Sequence, residues 1–130
     1  MLFRPSPRPQ KRVDYPDGVM VETECETYYI RGGKRYRLYS PRALSSWSIE
    51  PVRGSESSVA HIPKAKAPLG FRDGTLIHNY ADGRLYIISG NKRRHITSPD
   101  ALKRFGWTAG DAIIVSQKET ELHAEGDVLS

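Results

Sequence analysis

The chain has 130 residues, is 38% hydrophobic and 27% charged, and carries a formal net charge of +5. That size admits one domain or two very small ones, and no apolar run approaches the roughly 18 residues a membrane span needs. Cys25 is the only cysteine, which excludes an internal disulfide, and the first dozen residues lack the apolar stretch of a secretory leader.

Residues 1–16 read as an extended arm. Arg4, Arg8, Lys11 and Arg12 face the single acid Asp14, and Pro5, Pro7, Pro9 and Pro16 favour open, polyproline-like backbone. Such a segment orders only against a neighbour. Leu2 and Phe3 offer apolar anchors, and Arg4, Arg8 and Arg12 offer charge, for a partner subunit or a polyanion.

Beyond the arm the chain repeats itself. Residues 28–44, YYIRGGKRYRLYSPRAL, align with residues 86–102, YIISGNKRRHITSPDAL, with nine of seventeen positions identical. Each copy follows an Asp-Gly pair, Asp17-Gly18 and Asp73-Gly74. In the first copy, strands are expected over 18–24, 27–31 and 34–39, with the Gly32-Gly33 turn between the last two. In the second, they are expected over 75–80, 84–88 and 92–97, with Asp82-Gly83 supplying a positive-φ pair and Ser89-Gly90-Asn91 the next turn. Each meander runs into Ser-Pro, a serine N-cap with proline at the first helical position, so helices are expected from Pro41 to about Trp47 and from Pro99 to about Phe105. Leu44 with Trp47, and Leu102 with Phe105, would seat each helix on its sheet.

Downstream the copies diverge. Residues 111–115 read as a buried strand, Ser116 to Glu119 as a capping box opening a short helix to about His123, and 126–129 as a closing segment. In the first copy, residues 53–58 read as a flexible polar loop and 62–69 as a linker. The expected fold class is therefore β-rich α+β. The expected organisation is an arm over 1–16, a trimmed module with linker over 17–69 and a complete module over 70–130. Modules this small share a core or lean on a partner.

No constellation for catalysis or metal binding stands out. His61, His78, His95 and His123 have no ligand spacing with one another or with Cys25. Cys25 lies between Glu24 and Glu26, which disfavour a thiolate. Gly32-Gly33-Lys34 is a hairpin turn rather than a phosphate loop. No catalytic residue, cofactor or metal is assigned, and the chain reads as a non-enzyme. What repeats instead is a basic strand. Alternation puts Arg35 and Arg37 on one face in the first copy, and Arg93 and His95 on the matching face in the second. These four are the candidate docking residues; the plainer account is an exposed edge strand blunted by charge. The high pI and basic arm also raise nucleic-acid binding, but the tyrosines fall at core-like strand positions rather than on a stacking platform.

The pattern Tyr-x-Ile-x-Gly-x-Lys-Arg-x-x-x-x-Ser-Pro, at Tyr28–Pro41 and Tyr86–Pro99, resembles a repeat of two settings. One is wall-associated or secreted proteins of Gram-positive bacteria. The other is small virion proteins of tailed phages that infect actinobacteria, minor tail or structural components. Residues 73–129 follow the fuller pattern nearly throughout, and residues 17–50 its first half. The resemblance implies a multi-subunit assembly of virion proteins, in which the arm ties subunits together, and a virion location after synthesis in the host cytoplasm. A cell-wall or carbohydrate-binding module is the alternative, and a nucleic-acid-binding accessory protein a third reading. The resemblance supplies no catalytic residues.

Overall fold

A computed structural model describes residues 12–130. It is a mixed α+β fold with a four-stranded and a five-stranded sheet. The chain divides into two compact units. The first comprises the described residues up to Leu38 together with Ser48–Leu69, and the second comprises Tyr39–Trp47 and Gly70–Ser130.

In the first unit β1 (Met20–Glu22), β2 (Thr27–Arg31) and β3 (Lys34–Arg37) form the expected meander, and β4 (Val52–Arg53) adds alongside β1 in parallel. Gly32 and Gly33 take φ of +59° and +73°, the doubly left-handed turn that matches strand twist. Asp17 holds that turn, its Oδ1 accepting from Gly32 N–H at 3.1 Å. Asp73 does the same in the second unit, accepting from Gly90 and Asn91 N–H at 3.0 Å each. The Asp-Gly that precedes each repeat is thus a side-chain clamp on the next turn but one.

The stretch expected as a polar loop is helical instead. Ser55 caps α2 (Glu56–Val59), and Ser55 and Ser58 close a reciprocal capping box. Val59 and Ile62 then complete a core with Val21, Tyr28 and Ile30. The stretch expected as a linker runs beside β3: Arg35 N–H donates to Pro63 O at 2.9 Å, Ala65 N–H to Arg35 O at 3.0 Å and Leu69 N–H to Arg37 O at 2.7 Å. The first copy therefore carries the counterparts of the elements that follow the second meander.

In the second unit β5 (Leu76–Asn79), β6 (Leu85–Ser89) and β7 (Lys92–Ile96) form the meander, β8 (Ile113–Val115) lies parallel to β5, and β9 (Ala124–Glu125) parallel to β7. Only Gly83 of the Asp82-Gly83 pair takes positive φ. That connection is a longer loop, tied by Gly83 N–H to Asn79 O at 2.8 Å and Arg84 N–H to Asp82 Oδ1 at 2.9 Å. Strand alternation gives the sheet two apolar faces. One buries Ile77, Tyr86, Ile88 and Val115 with Phe71 and Ala43. The other buries Leu76, Ile87 and Ile96 with Ala101 and Leu102.

Each face has its own Ser-Pro helix. Ala43 lies on α1 (Pro41–Trp47), and Ala101 and Leu102 on α3 (Pro99–Arg104). Both caps form as expected, with Ala43 N–H donating to Ser40 Oγ at 3.2 Å and Ala101 N–H to Ser98 Oγ at 3.1 Å. Leu102 seats α3 as expected, but the other seating residues differ from expectation. The fully buried position is the alanine of each helix, and Phe105 is 51% exposed, stacked on Trp107. More consequentially, α1 follows the first meander in sequence yet belongs to the second unit. There Trp47 Nε1–H donates to Gly70 O at 2.9 Å and Arg72 N–H to Ser46 Oγ at 3.1 Å.

Below the sheet, α4 (Gln117–Thr120) opens with the expected capping box. Glu119 N–H donates to Ser116 Oγ at 3.1 Å, and Ser116 N–H to Glu119 Oε1 at 3.0 Å. Glu119 is buried, and it also accepts from Ser40 Oγ–H at 2.6 Å and Arg42 Nη1–H at 2.8 Å. Burial alone would raise its carboxyl pKa, but the hydrogen bonds from Ser40, Ser116 and Arg42 together outweigh it and hold the group below its ordinary value.

Candidate functional site: the repeated basic strands

The basic strands are not free edges. β3 is paired on one side by β2 and followed on the other by residues 63–69, and β7 lies between β6 and β9. Their charges therefore have a role other than guarding an unpaired backbone.

Arg35 faces the core of its unit. Its guanidinium lies 5.0 Å from the centre of the Tyr28 ring, its Nε–H donates to Ile62 O at 2.8 Å, and its Nη1 sits 3.6 Å from Glu56 Oε1. The side chain is only 11% exposed. Tyr28 is buried beside it and donates its own hydroxyl to Glu56 Oε1 at 3.1 Å. Burial first, and the Glu56 carboxylate second, push that phenol up to about 12.

Arg93 repeats the arrangement in the second unit. Its guanidinium lies 5.7 Å from the Tyr86 ring centre, and its Nη1–H donates to Thr120 O at 3.0 Å and His123 O at 2.7 Å. Its Nη2 reaches Glu125 Oε1 at 3.3 Å, while Nε finds no acceptor. The side chain is 14% exposed. Ile62 and His123 occupy matching places, so in both units the same arginine ties the strand to the carbonyl just past the short capped helix. Each such charge-assisted hydrogen bond contributes about 1.5–3 kcal/mol. The Arg–Tyr stack adds roughly 0.5–1 kcal/mol.

The other two candidates lie nearer solvent. Arg37 is 47% exposed and pairs with Glu26 at 3.5 Å. His95 is half-buried, its ring 5.4 Å from that of Tyr86, its Cα partner across the sheet. Arg35 and Arg37 lie in one unit, Arg93 and His95 in the other. Arg12 is exposed and 3.9 Å from Asp14. Leu2, Phe3, Arg4 and Arg8 lie outside the described residues.

Sequence reasoning passed over His123. It is 1% exposed; its Nε2 accepts from Phe71 N–H at 3.0 Å, and its Nδ1 lies 3.1 Å from Asn91 O. An acceptor at Nε2 and a carbonyl at Nδ1 require the neutral ring with its proton on Nδ1. Burial lowers its pKa, with Arg93 acting in the same sense against Asn91 and Asp73. The signal in sequence was its place just after a capped helix, opposite Ile62 of the first copy. Cys25 is exposed and free. Among the described residues no group of three or more His, Cys, Asp or Glu side chains is placed to hold a metal ion, and no helix is long and apolar enough to cross a membrane.

No protein-family profile matches the chain, and no curated protein does. Among solved structures it is similar to a chain of the periplasmic assembly from the ESX-5 inner membrane complex, at 14% identity and a TM-score of 0.35. That likeness covers 94% of this chain and 42% of the other, and carries no assignment of function.

Proposed function

We propose that this chain is a non-enzymatic structural protein of a phage virion, a minor tail or tail-tip component that docks on neighbouring subunits. The observation that supports a scaffold is the use to which the repeated residues are put. Tyr28 and Tyr86, and Ile30 and Ile88, fill cores. Gly32 and Gly90 make turns, Arg35 and Arg93 clamp, and Ser40 and Ser98 cap. The motif thus specifies a stable module rather than a reaction centre, and a duplicated module is a spacer or a docking body. The virion setting rests on the sequence resemblance and on the basic, proline-rich arm.

Quantitative proteomics of purified particles tests this. Peptides of the chain at a low, fixed ratio to the major tail protein are expected. Their absence from particles, despite abundant expression, overturns the reading. Retention on purified cell wall instead would favour the wall-binding alternative.

A further inference from the structure

The two units differ at one place where their backbones agree. Residues 64–66 run beside β3 as residues 124–127 run beside β7, with Arg35 opposite Lys64 and Arg93 opposite Glu125. In the second unit Glu125 answers Arg93 at 3.3 Å. In the first unit the corresponding residue is Lys64, and two places on, where the second unit has Asp127, stands Lys66. Like charges on neighbouring strands repel where opposite ones would attract. Both lysines are exposed, and among the described residues neither makes an ion pair.

These lysines border a cavity of about 210 Å³ lined by Arg35, Arg37, Lys64 and Lys66 with Glu26 and Tyr28. Glu26 answers Arg37 and Glu56 answers Arg35, which leaves the two lysines as the unbalanced positive charge at this cavity. One lining donor is buried without a hydrogen-bond partner: Arg35 Nη1, whose contact with Glu56 at 3.6 Å is too long for one. Glu26 Oε2 is likewise unpartnered, but it is an acceptor 3.5 Å from Arg37 Nε and opposes an anion rather than attracting one. A spare guanidinium N–H, a second arginine and two exposed ammonium groups are the donors a multiply charged oxyanion attracts. A monoanionic carboxylate would neutralise less of the excess.

We propose that this cavity of the first unit binds a phosphate group, either free or as part of a phosphodiester polymer. The matching place in the second unit does not, because Glu125 and Asp127 already occupy the positions of the two lysines. The site goes beyond the virion reading and stands independently of it.

The test is calorimetric titration of the full chain at low salt with inorganic phosphate and, separately, with a glycerol phosphate oligomer. Three proteins are compared: the unaltered chain, Lys64→Glu with Lys66→Asp, and Lys103→Glu with Lys118→Asp. The last pair makes the same charge change on exposed residues elsewhere. Because Lys64 and Lys66 are exposed, and Lys64→Glu replaces a repulsive neighbour of Arg35 by an attractive one, the urea midpoint is expected to hold or rise in the first pair. Affinity there should fall at least about tenfold, with little change in the control pair. Binding of both ligands supports the site with the phosphate group sufficient, and binding of the oligomer alone supports it with a polymer as source. No binding of either ligand to the unaltered chain, or equal losses in both variants, overturns it.

Discussion

Arg93 holds two carbonyls, that of the last residue of α4 and that of His123 beyond it, through a single guanidinium nitrogen, and that geometry gives it a measurable signature. Lysine keeps the charge but offers one compact ammonium that cannot stack on Tyr86 and span the same acceptors. Arg93→Lys should therefore lower stability by about 2 kcal/mol, read from the urea midpoint; an unchanged midpoint would rule the clamp out. The same placement shows that charge alone left the internal role of Arg35 and Arg93 unread: both guanidiniums bond within their own unit. Alternation correctly put Arg35 and Arg93 on one face, but nothing in the residue types says that this is the tyrosine face.

His123 makes the second residue-scale prediction. Its folded pKa is lowered from the ordinary 6.5, so the unfolded chain takes up a proton first as the solution is acidified. Stability should be flat with respect to this group above pH 6.5 and decline from there as pH falls toward the folded value. Protonation at Nε2 would also remove the acceptor for Phe71 N–H. Thermal melts between pH 7.5 and 5 should show the decline, and His123→Gln should flatten it. An equal slope in the variant would refute the assignment.

At the scale of elements, most of the fold was legible. The strands Thr27–Arg31 and Lys92–Ile96, the helix Pro41–Trp47 and the Ser116 box all fall where turn chemistry and capping place them. What was not legible was α2, because its capping box uses serine at both ends rather than a glutamate or glutamine. Ser55 Oγ accepts from Ser58 N–H and Ser58 Oγ from Ser55 N–H, at 3.1 and 3.0 Å. The match of Ser55 to Ser116 in the second copy was the available clue. Ser55→Ala should cost about 1 kcal/mol, a normal N-cap loss. Differential scanning calorimetry would register it, and a neutral result would return this stretch to a loop.

At the scale of the whole molecule, the duplicated stretch of sequence and the compact unit are out of register by one helix. The repeat places α1 with the first meander, since periodicity and caps report local structure and not which sheet a helix covers. Ala43 is wholly buried among Phe71, Ile77, Tyr86, Ile88 and Val115. Ala43→Asp should therefore open the second unit, although residue 43 lies inside the first repeat. Hydrogen exchange should rise at Ile77, Ile88 and Val115; protection unchanged there would contradict the assignment of α1.

That register shift bears on the order in which the protein is made. A chain emerging from the ribosome delivers Tyr39–Trp47 well before Val115 and Glu119 exist to receive them. The first unit has every residue it needs once Leu69 is out, with α1 carried as an insertion between its two segments. The second unit must wait for its last strands, and its earliest piece waits longest. The contact of Ser40 with Glu119 closes a span of 79 residues in a 130-residue chain. Closing a loop of that length late makes it a slow, non-local event. Nascent-chain synthesis halted once Leu69 has cleared the ribosome would leave a folded first unit carrying a helix that has not yet met its sheet.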